Sequence, residues 1–314
     1  MAEQGTHDSI TVGVSSRREH FYVVDWAADE AARRGAALRL VHAHRQARGH
    51  PALEGPAGFY LSVDDAPATL ALAVEQVRFT HPNLAISHQL VDDGVLRMLA
   101  AESTSADFLV IGSRDRNRLM RAAGGSFVGS VVDHAACPVV TVPPPVGPSD
   151  PDGPVVVGVS NGVLMLRPLA FAFDFAARTG RRLEAVHCWQ PPAWSASREH
   201  LEIELQLRLD TLLADFVAEF PEVAVTSRLL PSGAVAEDLE WLSRRGSVVV
   251  VGSRERRAGS ASTLGPVSRK LLHTATCPVA IVPTLPDAAG KPLMRSIGHG
   301  LWFSPNPRTS RELG

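Results

Sequence analysis

The strongest constraint on this chain is that one block of sequence occurs in it twice. Each copy reads as an apolar run, Gly-Ser-Arg, a charged loop, Gly, a short helical stretch, Ala-x-Cys-Pro-Val and Val-Pro. Gly112, Ser113, Arg114, Arg116, Gly125, Ala135, Cys137, Pro138, Val139, Val142 and Pro143 return as Gly252, Ser253, Arg254, Arg256, Gly265, Ala275, Cys277, Pro278, Val279, Val282 and Pro283. The spacing is constant at 140 residues (252 − 112; 277 − 137). A fixed offset over so many positions means a duplicated unit, and a unit of this length is a whole domain rather than a solenoid repeat. It carries a strand, a Gly-flanked loop and a helix start, a geometry suited to holding phosphates.

The bulk properties agree with two ordinary globular units. A chain of 314 residues suffices for two domains that each bury a core. Hydrophobic residues make up 45% and charged residues 20%, the usual balance of a folded water-soluble protein. A net charge of −2 predicts no general attraction to nucleic acid or anionic membrane. No apolar run is long enough to span a bilayer, and the polar start MAEQGTHDS lacks the pattern of an export signal. Three cysteines do not make a disulfide framework, so a reduced, cytoplasmic setting is expected.

Hydrophobic periodicity orders the elements. In the first half the pattern predicts strand 10–14, helix 23–34 stopped by Gly35, strand 38–43, a loop over 44–64, helix 66–79, strand 85–91, helix 94–102 and strand 108–112. Helix 126–135 and strand 138–142 close it. The second half predicts strand 155–159, helix 169–178, strand 183–188, a long helix within 197–219, strand 223–230, helix 234–244, strand 248–252 and then the repeated block. Alternating helices and wholly apolar strands imply α/β architecture, with a doubly wound parallel sheet of about five strands in each half and helices on both faces. The expected domains are 8–143 and 154–284, joined by a Pro-rich linker at 144–153 and followed by a poorly ordered tail at 285–314.

The openings ITVGVSS and VVVGVSN, the segments ARRGAALRLVHA and ARTGRRLEAVHCW, and the two Gly-Ser-Arg to Cys-Pro-Val blocks together resemble the universal stress protein family, in its tandem form common in actinobacteria. The resemblance covers about residues 8–284. It implies an adenine-nucleotide-binding-like sheet with strand order 3-2-1-4-5 and dimerisation through the last strand. Here that dimer can be internal, pairing Val139–Val142 with Val279–Val282 about a pseudo-twofold. It also implies a stress-response or regulatory role rather than defined catalysis.

The nucleotide-binding branch of the family carries Gly, two residues, Gly, nine residues, Gly, then Ser or Thr. The glycines admit backbone N–H groups to phosphate, and the hydroxyl adds a bond at a helix start. The first half matches with Gly112, Gly125 and Ser126 but has Asp115 at the second Gly; the second half has Gly252 and Gly265, with Glu255 and Pro266 as departures. A carboxylate beside phosphates repels them, and proline removes both hydroxyl and N–H. The family's Asp after the first strand is Ser15 here, and Ser160 in the duplicate. Of five expected features the first half keeps three and the second two.

The resemblance therefore implies a site for ATP, with magnesium accompanying it, in the first half only. Its residues are Ser15, Ala43 lining the adenine, Gly112, Arg114, Gly125, Ser126 and the neighbouring Phe127; Cys188 corresponds to Ala43. Arg114, Arg116, Arg118 and Arg121 either offset Asp115 and reach phosphates or form a solvated loop face, and the solvated face is preferred. A nucleotide-free scaffold for protein partners is the alternative function, and a slow ATPase ranks behind it. Gly124-Gly125-Ser126-Phe127-Val128 lacks the second glycine of a nucleophile elbow. His42 and His44 share a strand face, but His42 recurs as His187, which points to a structural role. Cys137 and Cys277 read as buried, inert thiols.

Overall fold

The computed structural model describes residues 9–44, 66–113, 127–160, 165–191, 198–253 and 264–283. The first half runs β1 (Ser9–Gly13), a 3₁₀ turn (Arg18–His20), α1 (Tyr22–Arg34), β2 (Ala37–Ala43), α2 (Ala66–Thr80), β3 (Ile86–Val91), α3 (Val95–Glu102), β4 (Phe108–Gly112), α4 (Phe127–His134) and β5 (Val139–Val142). The second half repeats the order with β6 (Val155–Gly158), α5 (Leu166–Thr179), β7 (Leu183–Trp189), α6 (Arg198–Glu219), β8 (Val225–Pro231), α7 (Val235–Ser243), β9 (Val248–Gly252), α8 (Pro266–Thr274) and β10 (Val279–Val282). The predicted strands 108–112 and 248–252 are found at those bounds, and the other elements differ by a few residues at their ends. The loop predicted over 44–64, apart from His44, and the tail at 285–314 lie outside the described residues.

All ten strands form one sheet in the order β3-β2-β1-β4-β5-β10-β9-β6-β7-β8. Each half is parallel and has the 3-2-1-4-5 order. The halves meet where β5 pairs antiparallel with β10, with Thr141 opposite Val279, Val140 opposite Ala280 and Val139 opposite Ile281. Both seam strands are buried along their whole length, so neither would survive as an exposed edge without inviting association. Thr141 at the seam is fully buried and donates its hydroxyl to the Val279 carbonyl at 3.2 Å. The last strands pair as the family resemblance implied, so the two five-stranded units form one continuous sheet whose direction reverses at its centre.

Alternate strand residues feed two cores. Ile10, Val12, Leu38, Leu40, Phe108 and their second-half counterparts pack against α1, α2, α5 and α6. Val41, Leu109, Ile111, Val139, Val186 and Val249 pack against α3, α4, α7 and α8. Helix α1 buries Val23, Val24, Ala27, Ala28 and Ala31 at helical spacing. It stops at Gly35, whose φ of 64° is left-handed and lets its N–H return to the Ala31 and Ala32 carbonyls. Gly180 does the same for α5 at φ 65°.

The first core face crosses the seam through a buried ionic cluster. Arg34 of α1 donates to Asp174 of α5 at 2.9 Å and lies over the Phe108 and Phe175 rings at 5.1 and 5.4 Å. Arg181 bonds both Glu30 oxygens at 3.2 Å, and these side chains are only 6% and 2% exposed. Burial outweighs the neighbouring arginines, so the Glu30 and Asp174 carboxyls are held above their ordinary range. The segment between β5 and β6 contains no helix or strand but is tied down by Asp152, paired with Arg33 at 2.8 Å, and by the Pro151 carbonyl, which accepts from Arg181 at 3.1 Å. No helix among the described residues is long and apolar enough to cross a membrane.

Candidate functional site

In a 3-2-1-4-5 sheet the connections that follow β1 and β4 leave toward opposite faces, here to α1 and α4, opening a crevice at the C-terminal ends of the two strands. The chain places Ser15 just after β1, Ala43 at the end of β2, Gly112 at the end of β4 and Phe127 at the first turn of α4. All four are half-buried, as residues lining a crevice are. Arg114, Gly125 and Ser126, together with Asp115 and the remaining loop arginines, lie outside the described residues.

Backbone hydrogen bonds fix this edge. The Val14 N–H reaches the Val41 carbonyl at 2.8 Å, the Ser113 N–H reaches Val142 at 2.9 Å and the His44 N–H reaches Val91 at 2.8 Å. His42 Nδ1 sits 2.8 Å from the Val14 carbonyl, and His187 Nδ1 stands 2.8 Å from Val159 in the same way. Both histidines are buried, so they hold strand ends together, and no group of three or more metal-ligating side chains occurs among the described residues. At Gly112 an added Cβ would meet Val23 at 3.6 Å and the Tyr22 hydroxyl at 3.9 Å, ordinary contact distances. The glycine is therefore not demanded by packing, and its bare backbone leaves room for a close approach.

Ser15 is more occupied than its residue type suggests. Its Oγ lies 3.0 Å from His20 Nδ1 and accepts the Arg17 N–H at 3.2 Å, so it closes the turn that leads into α1. His20 meets the Tyr22 ring edge-on, with centroids 6.2 Å apart, and its Nε2 is 3.7 Å from Glu19. His20 and Tyr22 escaped the sequence reading because the signal sought was a carboxylate directly after the strand. The corresponding position to His20 in the duplicate is Met165, a buried core residue.

The second crevice differs at nearly every wall. Ser160 is exposed, and Pro266 is the first residue of α8 after an extended Gly265, so the helix start lacks one donor. Cys188 stands where the first half has Ala43, and burial together with the Asp238 carboxyl pushes its thiol up to about 12. Asp238 on α7 takes the place of Met98 on α3, and its Oδ2 is buried without a hydrogen-bond partner among the described residues. Such a wall repels a phosphate rather than attracting one. Cys137 and Cys277 are buried, and burial raises both thiols, that of Cys277 to about 12, which makes them inert near neutrality.

A family model described as the universal stress protein family matches residues 6–143 and again residues 153–283. A universal stress protein of Mycobacterium tuberculosis (strain ATCC 25618 / H37Rv) is 30% identical over 295 residues, covering 90% of this chain and 99% of the relative. A second from the same strain is 28% identical over 324 residues, covering 92% and 99%. Among solved structures, a universal stress protein from Archaeoglobus fulgidus DSM 4304 superimposes with a TM-score of 0.61 at 14% identity, covering 88% of this chain and 96% of the other. At that identity the likeness concerns the fold.

Proposed function

This chain belongs to the universal stress protein family, with two family units in tandem, and from that membership we propose that it is a regulatory module binding an adenine nucleotide in the first half alone. The observation that supports the reading is that Ser15, Ala43 and Gly112 stand half-buried at or just after the C-terminal ends of the neighbouring strands β1, β2 and β4, with half-buried Phe127 opening α4 and open backbone at Gly112. In this reading Ala43 lines the base, and Gly112 and Gly125 admit the phosphates to backbone N–H groups. Ser126, and Phe127 at the start of α4, would hold the phosphates through the hydroxyl of the first and the backbone N–H of the second, and Arg114 would neutralise them. Ser15 has one hydrogen-bonding valence left for a ribose hydroxyl after bonding Arg17 and His20, a lone pair or its own O–H according to the His20 tautomer. Magnesium would arrive on the phosphates of ATP.

A thermal-shift titration tests this. ATP with magnesium at about ten times its dissociation constant should stabilise by about 1.4 kcal/mol. Ser126→Ala and Gly112→Ala should weaken the effect. An unchanged melting point at millimolar ATP favours the nucleotide-free scaffold instead. Slow ATP hydrolysis ranks behind the scaffold, and His20, 3.0 Å from Ser15, is the titratable side chain to test for it. Phosphate release that disappears in His20→Ala supports it; no release above a protein blank removes it.

A further inference from the structure

At the opposite end of the strands from the two crevices, the second half carries a cavity of about 420 Å³ lined by Pro154, Arg182, Leu183, Glu184, Thr226, Arg228 and Arg245. Pro154 and Arg182 precede β6 and β7, so the cavity lies at strand N-termini, about 20 Å along β7 from Cys188 and Trp189. Glu184 is buried and draws in two cations: Arg228 at 2.8 Å, and Arg245 at 3.0 and 3.2 Å to its two oxygens. Arg245 also stacks on the Trp241 ring at 4.8 Å, which fixes its plane. Arg182 is exposed, and its side chain makes no ion pair among the described residues.

The duplicated half shows what this place looks like without the excess charge. Strand register puts Arg39 opposite Thr11, as Glu184 is opposite Val156, so Arg39 and Glu184 are equivalent. The same registers and the matching Ser103 and Ser243 bonds to Ala136 and Thr276 pair Arg182 with Ala37, Arg228 with Gln89 and Arg245 with Ser105. In the first half Arg39 and Glu102 neutralise each other at 2.6 and 2.9 Å. The second half moves the carboxylate to the strand and surrounds it with three arginines, a local balance of +2. Each guanidinium has more N–H donors than one carboxylate can take. Clustered like charge on low-dielectric walls focuses a positive field into the cavity.

We propose that this cavity is a binding site for a small organic oxyanion, a phosphate monoester or di- or tricarboxylate, held by Arg182, Arg228 and Arg245 over an apolar wall of Pro154 and Leu183. Its volume is that of a small-molecule site. Glu184 positions two of the three arginines, so the site is formed before the ligand arrives. The inference does not depend on nucleotide binding in the first half, because the two places share no residue.

Isothermal titration at low ionic strength with two probes, inorganic phosphate and citrate, tests it. Binding of either at millimolar affinity or tighter is expected, and the stronger of the two names the head group. Arg182→Gln and Arg228→Gln should each weaken it at least tenfold, while Arg39→Gln in the neutral counterpart leaves it unchanged. Should Arg228→Gln fail to fold, Arg182→Gln decides alone, since it breaks no ion pair. No heat from either probe overturns the proposal. So does binding that persists in Arg182→Gln, or phosphate binding lost in Gly112→Ala instead.

Discussion

The two halves of this chain share strand order, register and helix caps, yet they have diverged at the two ends of their strands in opposite senses. At the C-terminal ends, the first half has an open Gly112 and a tethered Ser15, whereas the second has Pro266, Cys188 and Asp238. At the N-terminal ends, the first half is a neutral Arg39 and Glu102 pair, and the second gathers three arginines about Glu184. Duplication let the half-buried and exposed positions at the strand ends change, because they carry less of the core than the strand centres do. The residues that face those cores kept their character: Leu38 and Leu183, Val41 and Val186, Leu99 and Leu239 are all buried.

The comparison presumes that the halves act as one body, and the largest expected effect tests that. Glu30→Ala strands Arg181 as an uncompensated buried cation and should cost about 3–5 kcal/mol in urea denaturation, with one transition for the whole chain. A loss below about 1 kcal/mol would mean that β5 and β10 suffice to join the halves. Next in size, Gly153→Ala brings a Cβ within 2.1 Å of the Arg245 carbonyl, a backbone atom that cannot turn aside. It should cost about 3 kcal/mol and disturb the arginine cavity, while Gly112→Ala, with 3.6 Å of room, should leave the melting point near that of the parent.

A smaller effect separates the crevices themselves. The stabilisation of about 1.4 kcal/mol expected from ATP at ten times its dissociation constant should fall in Gly112→Ala and persist in Gly252→Ala. The reverse result would move the site to the second half. Smallest is the pH response of the seam. Glu30 and Asp174 have folded values raised above their ordinary 4.5 and 3.8, so the folded state binds their protons more tightly than the unfolded chain. Their contribution is complete below those ordinary values and is lost as pH rises through the raised ones. Denaturation midpoints measured across mildly acidic pH should show this slope, and Glu30→Gln should flatten it.

Much of this was legible beforehand because the signals are local. Apolar runs such as Phe108–Gly112 and Val248–Gly252 are strands buried on both faces, and Gly35 and Gly180 stop helices that only a left-handed residue can end in this way. The repeated His42 and His187 announced a structural role, which their matching bonds to Val14 and Val159 bear out. The candidate site was inferred from glycines, hydroxyls and the family positions of Ala43, Arg114 and Phe127. His20 and Tyr22 gave no signal, because a histidine five residues after a serine acquires meaning only once a 3₁₀ turn folds it back.

The sequence by itself determined the duplication, the alternation of strands and helices, and the departures at Ser15, Ser160 and Pro266, since each depends on residue type and short-range periodicity. Tertiary structure alone decided the antiparallel register of Thr141 with Val279 at the seam, that Arg34 lies over both Phe108 and Phe175, and that Arg182, Arg228 and Arg245 meet at one cavity. Those neighbours are far apart along the chain, and charge or hydrogen-bonding partners chosen across such distances leave no period in the sequence to read.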